Sequence, residues 1–440
     1  MWVTSACALW HSLPLLKQVV LSINAAVYVG ETYLLLRQRR KAAIPVPVPA
    51  EVAALSKPEE IAQSRRYTQA KLAFALFTGF YDMVQTTAII LLDVLPWLWQ
   101  CSAHVLARAG YDAAVSPILQ SCVFITLYSL GSTVLSQPTS LYNTFVIEER
   151  FGFNKQTLGL YIKDLVKSTL VTSAIGLPIA AAFIKIIAWA GDNFPLYVWA
   201  FIACVQVVMI TLYPIYIAPL FNTFTPLEDG ELKSALRALA DRVRFPLTKM
   251  FVIDGSTRSG HSNAYFTGLF REKRIVIFDT LIAQNSVREI CAVGAHEMGH
   301  WAHSHIVQSL LISQVHLLAV FYGFRLAIHY GPLYTAFGFH GPDRPILIGF
   351  LLFGMLNTPI DTLVTFMMNV RSRHNEFQAD RYAVDLGYAA DLKTALTKLH
   401  VKNLGNLNPD AWYSAWHYSH PPLVERLRAM DRDAASKKKE

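Results

Sequence analysis

The apolar positions of this chain are gathered into long runs separated by short polar stretches. Runs long enough to cross a bilayer occur at 14–36, 72–99, 116–136, 168–190, 196–221, 306–330 and 345–370. A helix rising about 1.5 Å per residue needs roughly 20 apolar residues to cover a hydrocarbon core about 30 Å thick. The pattern therefore predicts an all-α polytopic membrane protein with seven transmembrane helices. The polar mass is concentrated at 222–304, where Glu231–Arg242 has the spacing of an amphipathic helix. In the same stretch Met250–Ile253 and Arg274–Phe278 read as short strands flanking Ser259–Phe266, a small β element. The chain so divides into 1–221 (spans one to five with their loops), 222–304 (a loop domain), 305–370 (spans six and seven) and 371–440 (a helical segment with a basic tail).

Composition agrees, with 53% hydrophobic and 16% charged residues and a mean hydropathy of +0.32. The first span carries Lys17 within it and is followed, not preceded, by Arg37, Arg39, Arg40 and Lys41, so it reads as a retained span rather than a cleaved signal. Basic residues recur after spans one, three and seven and are sparse after two, four and six. By the positive-inside rule the odd-numbered loops and the C-terminus face the cytosol. The net charge of +8 hugs the ends of the spans, which points to membrane orientation and anionic headgroups rather than nucleic acid. Five cysteines without a CxxC pair support neither a disulfide framework nor a thiolate metal site. Asp82, Asp93, Lys185, Asn357 and Asp361 fall inside the spans and imply an enclosed polar space, although Asp93 and Lys185 lie close enough to span ends to snorkel.

The candidate chemistry is His296-Glu297-Met298-Gly299-His300. On a helix, residues four apart project about 40° from each other, so both imidazoles can hold one metal while Glu297 points at its bound water. Two histidines leave the site one protein ligand short. A metzincin would place a third His at 306, which is Ile306, so that class is excluded. His303 projects a turn beyond His300 and lies beside the site rather than in it, and His305 projects from the opposite side. The better third ligand is Glu376, with Asp380 one turn on the same face to accept the outer N–H of a liganding histidine. Glu297 then serves as general base, and His420, stiffened by Pro421 and Pro422, is the candidate donor to the tetrahedral intermediate.

These blocks resemble a family, the Ste24-type zinc CAAX prenyl proteases. The resemblance runs from about Arg66 to Met430 and is carried by Thr144–Arg150 with Gly152-Phe153-Asn154, Tyr213-Pro214 with Ala218–Phe221, His261–Phe266, the HExxH helix, Glu376–Asp380 and His417–Pro422. It implies seven helices enclosing a water-filled chamber, with a gluzincin-type site at its cytosolic end: one zinc ion on His296, His300 and Glu376, Glu297 as catalyst, and Asn263, followed by Ala264 and Tyr265, holding the substrate backbone. The implied reaction is removal of the C-terminal tripeptide from farnesylated or geranylgeranylated CaaX proteins, with a second N-terminal cut of a prenylated precursor in some members. The implied location is the endoplasmic reticulum and inner nuclear membrane. The segment between Thr280 and Cys291 is shorter than in some members, and Met298–His303 departs from the usual residues without touching a ligand. Lys437–Glu440 resembles a dilysine retrieval signal. Two other readings are a quality-control protease for misfolded or translocon-clogging proteins and a transporter with a fortuitous metal site. The second is disfavoured by the lack of internal repeats and by Glu297, which a structural ion does not need.

Overall fold

Proline opens most of the long helices, because a residue without an N–H loses nothing in the first turn. In the computed structural model, which describes residues 10–44, 50–53, 56–268, 272–341 and 344–437, α1 (Leu15–Ala43) follows Pro14 and α2 (Pro58–Leu91) starts on Pro58. After α3 (Val94–Arg108), α4 (Pro117–Tyr142) starts on Pro117 and passes into a π-helical turn, Asn143–Glu148. Then come α5 (Leu158–Ala190) and α6 (Phe194–Leu212), separated by a break at Gly191–Asn193. Among the described residues six continuous stretches are long and apolar enough to span a membrane, and one of them, Leu158–Leu220, contains both α5 and α6, which matches the seven expected helices. The dilysine-like residues 438–440 lie outside the described residues.

Span two differs from the run at 72–99. It ends at Leu91, Asp93 takes a left-handed conformation (φ 51°), and the chain turns into α3. Pro96 explains the break: inside a continuous helix its ring would strike the carbonyl of Leu92, whereas in the first turn of a new helix it is harmless. Asp93 meets Lys17 of span one at 2.7 Å.

The catalytic part holds a four-stranded sheet of β1 (Phe224–Pro226), β2 (Leu247–Ile253), β3 (Ala264–Thr267) and β4 (Lys273–Phe278) in the order β1-β2-β4-β3. The two expected strands are β2 and β4; they run parallel, and β3 pairs antiparallel to β4 at the sheet edge. α12 (Ala411–His417) packs on spans one and seven, and around the sheet lie α7 (Glu231–Arg242), α8 (Val287–Ala302), α11 (Ala389–Lys402) and α13 (Leu423–Lys437). Their buried faces meet in one core that includes Leu236, Leu239, Ile275, Ile277, Ala295, Met298, Leu392 and Leu427. The last two spans are α9 (His305–Ile328) and α10 (Ile346–Asp385).

The spans form a ring in chain order. α1 packs on α2, α2 on the π turn ending α4, α4 on α5, α5 on α6, α6 on α9, α9 on α10, and α10 back on α1. In the most apolar part of each, only 6% to 28% of the residues are buried. Helices that touch mainly their ring neighbours leave their inner faces on a hollow. One end of it is closed by a second core of Val20, Ile90, Phe124, Phe183, Phe324 and Ile348, drawn from the same end of successive spans. The opposite end is where α8 delivers the chain into α9. There α10, 40 residues and so about 60 Å long, runs on beyond a bilayer's thickness without a break at 370, carrying Glu376 and Asp380 on the same rod as span seven.

Candidate metal centre and active site

The HExxH helix begins with a reciprocal cap. Ser286 Oγ accepts the Glu289 N–H at 3.3 Å, and the Ser286 N–H donates to Glu289 Oε2 at 2.8 Å. Lys398 of α11 donates to both oxygens of that carboxylate at 2.8 Å, tying the helix start to the C-terminal segment. Ile290, Cys291, Ala292, Ala295 and Met298 bury one face, which turns His296, Glu297 and His300 toward α10. Gly299 lets α10 approach closely. A Cβ there would lie 2.9 Å from Ala379 Cα and 3.0 Å from Tyr382 Cβ.

That crossing brings three donors together. His296 Nε2 and His300 Nε2 are 3.2 Å apart, and Glu376 oxygens lie 3.5 Å from the first and 3.3 Å from the second. An ion bonded tetrahedrally at about 2.05 Å to each donor separates them by about 3.3 Å. Two imidazoles and a carboxylate at these spacings fit zinc, with a fourth position free. Burial works against a charged His296, but Asp380 and Glu376 outweigh it and hold its pKa up at about 9, so the pocket is built to stabilise positive charge. Burial pushes the Glu297 carboxyl above its ordinary range, with His296 and His300 opposing. A carboxyl poised upward in this way is suited to taking and returning a proton.

The surrounding groups fix orientation. His296 Nδ1 meets Asp380 Oδ1 at 2.9 Å, as the i, i+4 spacing from Glu376 led one to expect. Arg426 of α13 is buried; it donates from Nε to Asp380 Oδ2 at 2.8 Å and from Nη2 to Oδ1 at 2.6 Å, and its Nη1 stands 3.2 Å from Glu376. His420 reaches Glu376 with Nδ1 at 2.9 Å while its side chain stays 66% exposed, open toward whatever enters the cleft.

Asn263 is exposed just before the edge strand, and its Oδ1 accepts the Ala264 N–H at 2.9 Å. Ala264 and Tyr265 pair with Ile277 and Val276 on β4, and α8 packs beside β3. Among the described residues no strand pairs with the far edge of β3. That edge is therefore available for an extended peptide to add a strand next to the HExxH helix.

Three supporting residues escaped the sequence reading. His305 does not project from the opposite side: α8 ends at Ala302, Ser304 is left-handed (φ 56°), and a new helix starts at His305, so the helical extrapolation fails across 303–304. His305 Nδ1 meets His300 Nδ1 at 2.9 Å, and His303, as expected, lies beside the site, stacked on His305. Arg426 looked like any basic residue of an amphipathic tail helix. Asn403, which holds the lead into β3, sits in an Asn-rich loop without any motif.

Family models match nearly the whole chain: the CAAX prenyl protease N-terminal region with five membrane helices at 38–223, and peptidase family M48 at 226–434. The chain is 44% identical to a CAAX prenyl protease 1 homolog of Arabidopsis thaliana, covering 96% of this chain and 98% of the relative. It is 42% identical to CAAX prenyl protease 1 of Saccharomyces cerevisiae, covering 96% of each, and 41% identical to the human homolog, covering 98% of each. The crystal structure of S. mikatae Ste24p superposes with a TM-score of 0.90 at 43% identity, over 94% of this chain and 99% of that one. The chain belongs to the CAAX prenyl protease 1 family. As a member of that family and of peptidase family M48 it is a membrane-spanning metalloprotease, and the transporter reading is set aside. Among the described residues one group of three donors has metal-binding spacing, His296, His300 and Glu376.

Proposed function

We propose that this protein removes the C-terminal tripeptide from isoprenylated CaaX proteins, using one zinc ion per chain held by His296, His300 and Glu376. The observation that carries this reading is the tetrahedral spacing of those three donors beside Glu297, with the free edge of β3 next to them. A zinc ion held there would supply polarisation of the scissile carbonyl and a more acidic attacking water. Glu297 takes the proton from that water and returns it to the leaving amine. Asp380 accepts the outer N–H of His296 and fixes its tautomer, and Arg426 holds Asp380 in place. His420 donates to the oxygen that gains charge. Asn263, Ala264 and Tyr265 hold the substrate backbone in extended form, so that the scissile bond lies across the metal centre.

The substrates so proposed are farnesylated or geranylgeranylated. The assigned location is the endoplasmic reticulum membrane, extending to the inner nuclear membrane, with the site and C-terminus on the cytosolic side, as the basic odd-numbered loops support. Replacing Glu297 with Gln tests the mechanism: zinc content should stay at one per chain while cleavage of a farnesylated CaaX peptide is lost, and persisting cleavage would sink the assignment. Purified protein should cleave the prenylated peptide and spare its unprenylated twin. Equal cleavage of both would return the quality-control reading.

A further inference from the structure

Many basic side chains at the catalytic end of the ring are neutralised within the fold. Lys71 pairs with Glu148 at 3.0 Å, Lys402 with Glu60 at 2.8 Å, Arg37 with Asp410 at 3.0 Å and Arg258 with Asp164 at 2.8 Å. Three arginines without such a partner among the described residues share one cavity. Arg65 and Arg66, near the start of α2, and Arg150, just past the end of span three, line a single cavity of about 620 Å³ together with Gln63, Gln69 and Phe151. No acidic residue lines that cavity, and among the described residues none of the three guanidinium groups has an acidic partner.

Guanidinium groups stay charged at any physiological pH, so three of them around one cavity repel each other unless an anion joins them. Their planar forks match the oxygens of a phosphate, and the carboxamides of Gln63 and Gln69 add neutral donors. Orientation of the spans alone does not ask for this. The positive-inside rule is satisfied by charge anywhere in the loop, whereas here residues from two separate loops share one concavity. The depth selects the occupant. From Arg66 to Leu72, where the apolar part of span two begins, is six residues, or about 9 Å along the helix, which is close to the thickness of the headgroup layer. We propose that this cavity binds the phosphorylated headgroup of an anionic lipid in the leaflet that borders the catalytic domain. The site is separate from the metal centre and does not depend on how that centre works.

The test uses the full-length protein in phosphatidylcholine nanodiscs titrated with fluorescent phosphatidylinositol 4-phosphate. The combined substitution Arg65→Gln, Arg66→Gln and Arg150→Gln should weaken binding roughly a hundredfold, since each basic residue near an anionic headgroup contributes about a factor of five. Arg39→Gln, Arg40→Gln and Lys41→Gln remove the same charge outside the cavity and should change binding less than about threefold. Phosphatidylserine at matched total charge should bind at least about tenfold more weakly. Equal weakening by the two triple variants, or equal binding of the two lipids, would reduce the site to diffuse surface charge and overturn the proposal. Full displacement by inorganic phosphate at the lipid's own concentration would make it a free-anion site and also overturn it. Peptidase activity in detergent reports folding of the cavity variant. If that is lost, Arg150→Gln alone is read in its place, with an expected loss of about fivefold, and no loss counts against the proposal.

Discussion

His300 Nδ1 lies 2.9 Å from His305 Nδ1, across the break between the HExxH helix and span six. One of the two nitrogens must carry the proton, and the next contact decides which. His305 Nε2 stands 2.9 Å from Gln378 Oε1, and Gln378 Nε2 stands 3.1 Å from His374 Nε2. The Gln378 carbonyl accepts from His305 Nε2–H, which leaves His305 Nδ1 as acceptor and His300 Nδ1–H as donor. The lone pair of His300 Nε2 is then directed at the site. His305→Ala should weaken zinc binding by about 10- to 100-fold, the usual cost of losing such an orienting partner. Chelator competition measures it, and an unchanged affinity would remove His305 from the site.

Gly299 should tolerate no side chain. In Gly299→Ala the new Cβ meets α10 backbone at Ala379 and Cβ of Tyr382, at 2.9 to 3.1 Å. Neither contact is the end of a flexible side chain, so the two helices must move apart. A loss of about 1–3 kcal/mol in thermal stability is expected. Because the same crossing sets the distance from Glu376 to both histidines, peptide cleavage should fall by about a hundredfold. A variant as stable and active as the unsubstituted protein would show that the crossing is looser than described.

Asn403 grips the residue that leads into the edge strand. Its Oδ1 accepts the Ser262 N–H at 3.2 Å, and its Nδ2 donates to the Ser262 carbonyl at 3.3 Å. His261, next in line, is stacked on Phe153 at 3.9 Å between ring centres and lies 3.5 Å from Glu148 at the end of span three. The start of β3 is thus held from two sides. Asn403→Ala should raise KM for a CaaX peptide by about tenfold, the worth of two modest hydrogen bonds, and leave kcat within a factor of about two. A fall in kcat with KM unchanged would point away from substrate alignment.

His400 gives the protein an acid limit of its own. Burial, with the charge of Arg426 adding to it, lowers its pKa from 6.5 to about 4. The folded state therefore prefers the neutral ring, while the unfolded chain takes up a proton as soon as the pH drops below 6.5. Stability from this group is complete above that value and is lost on the way down to about pH 4, on the order of 3 kcal/mol in all. His400→Gln should flatten the thermal-stability profile over that window relative to the unsubstituted protein. Parallel profiles would rule the group out.

Much of this molecule was legible in local spacing. Seven apolar runs gave the passes, because a bilayer demands length and hydrophobicity from each segment independently of the others. The HExxH spacing and the i, i+4 pair Glu376 and Asp380 were readable for a similar reason: a helix places residues four apart on one face whatever it packs against. The readings that failed were those that carried one element's geometry into the next. Span two stopped at Leu91 because of Pro96, and His305 faced the site because the chain changed direction at Ser304.

The sequence by itself therefore determined the membrane class, the apolar runs that make the spans, and the residue types and helical spacing of the candidate site. Tertiary structure alone decided that the spans close into a ring around a hollow and that α10 crosses α8 at Gly299 closely enough to bring Glu376 to the histidines. It also placed β3 at the sheet edge and inserted Arg426 between the two carboxylates. These depend on contacts between segments far apart in the chain, 130 residues in the case of Arg426 and His296. Such contacts form only when whole surfaces fit, and no periodicity within one segment encodes which surface it will meet.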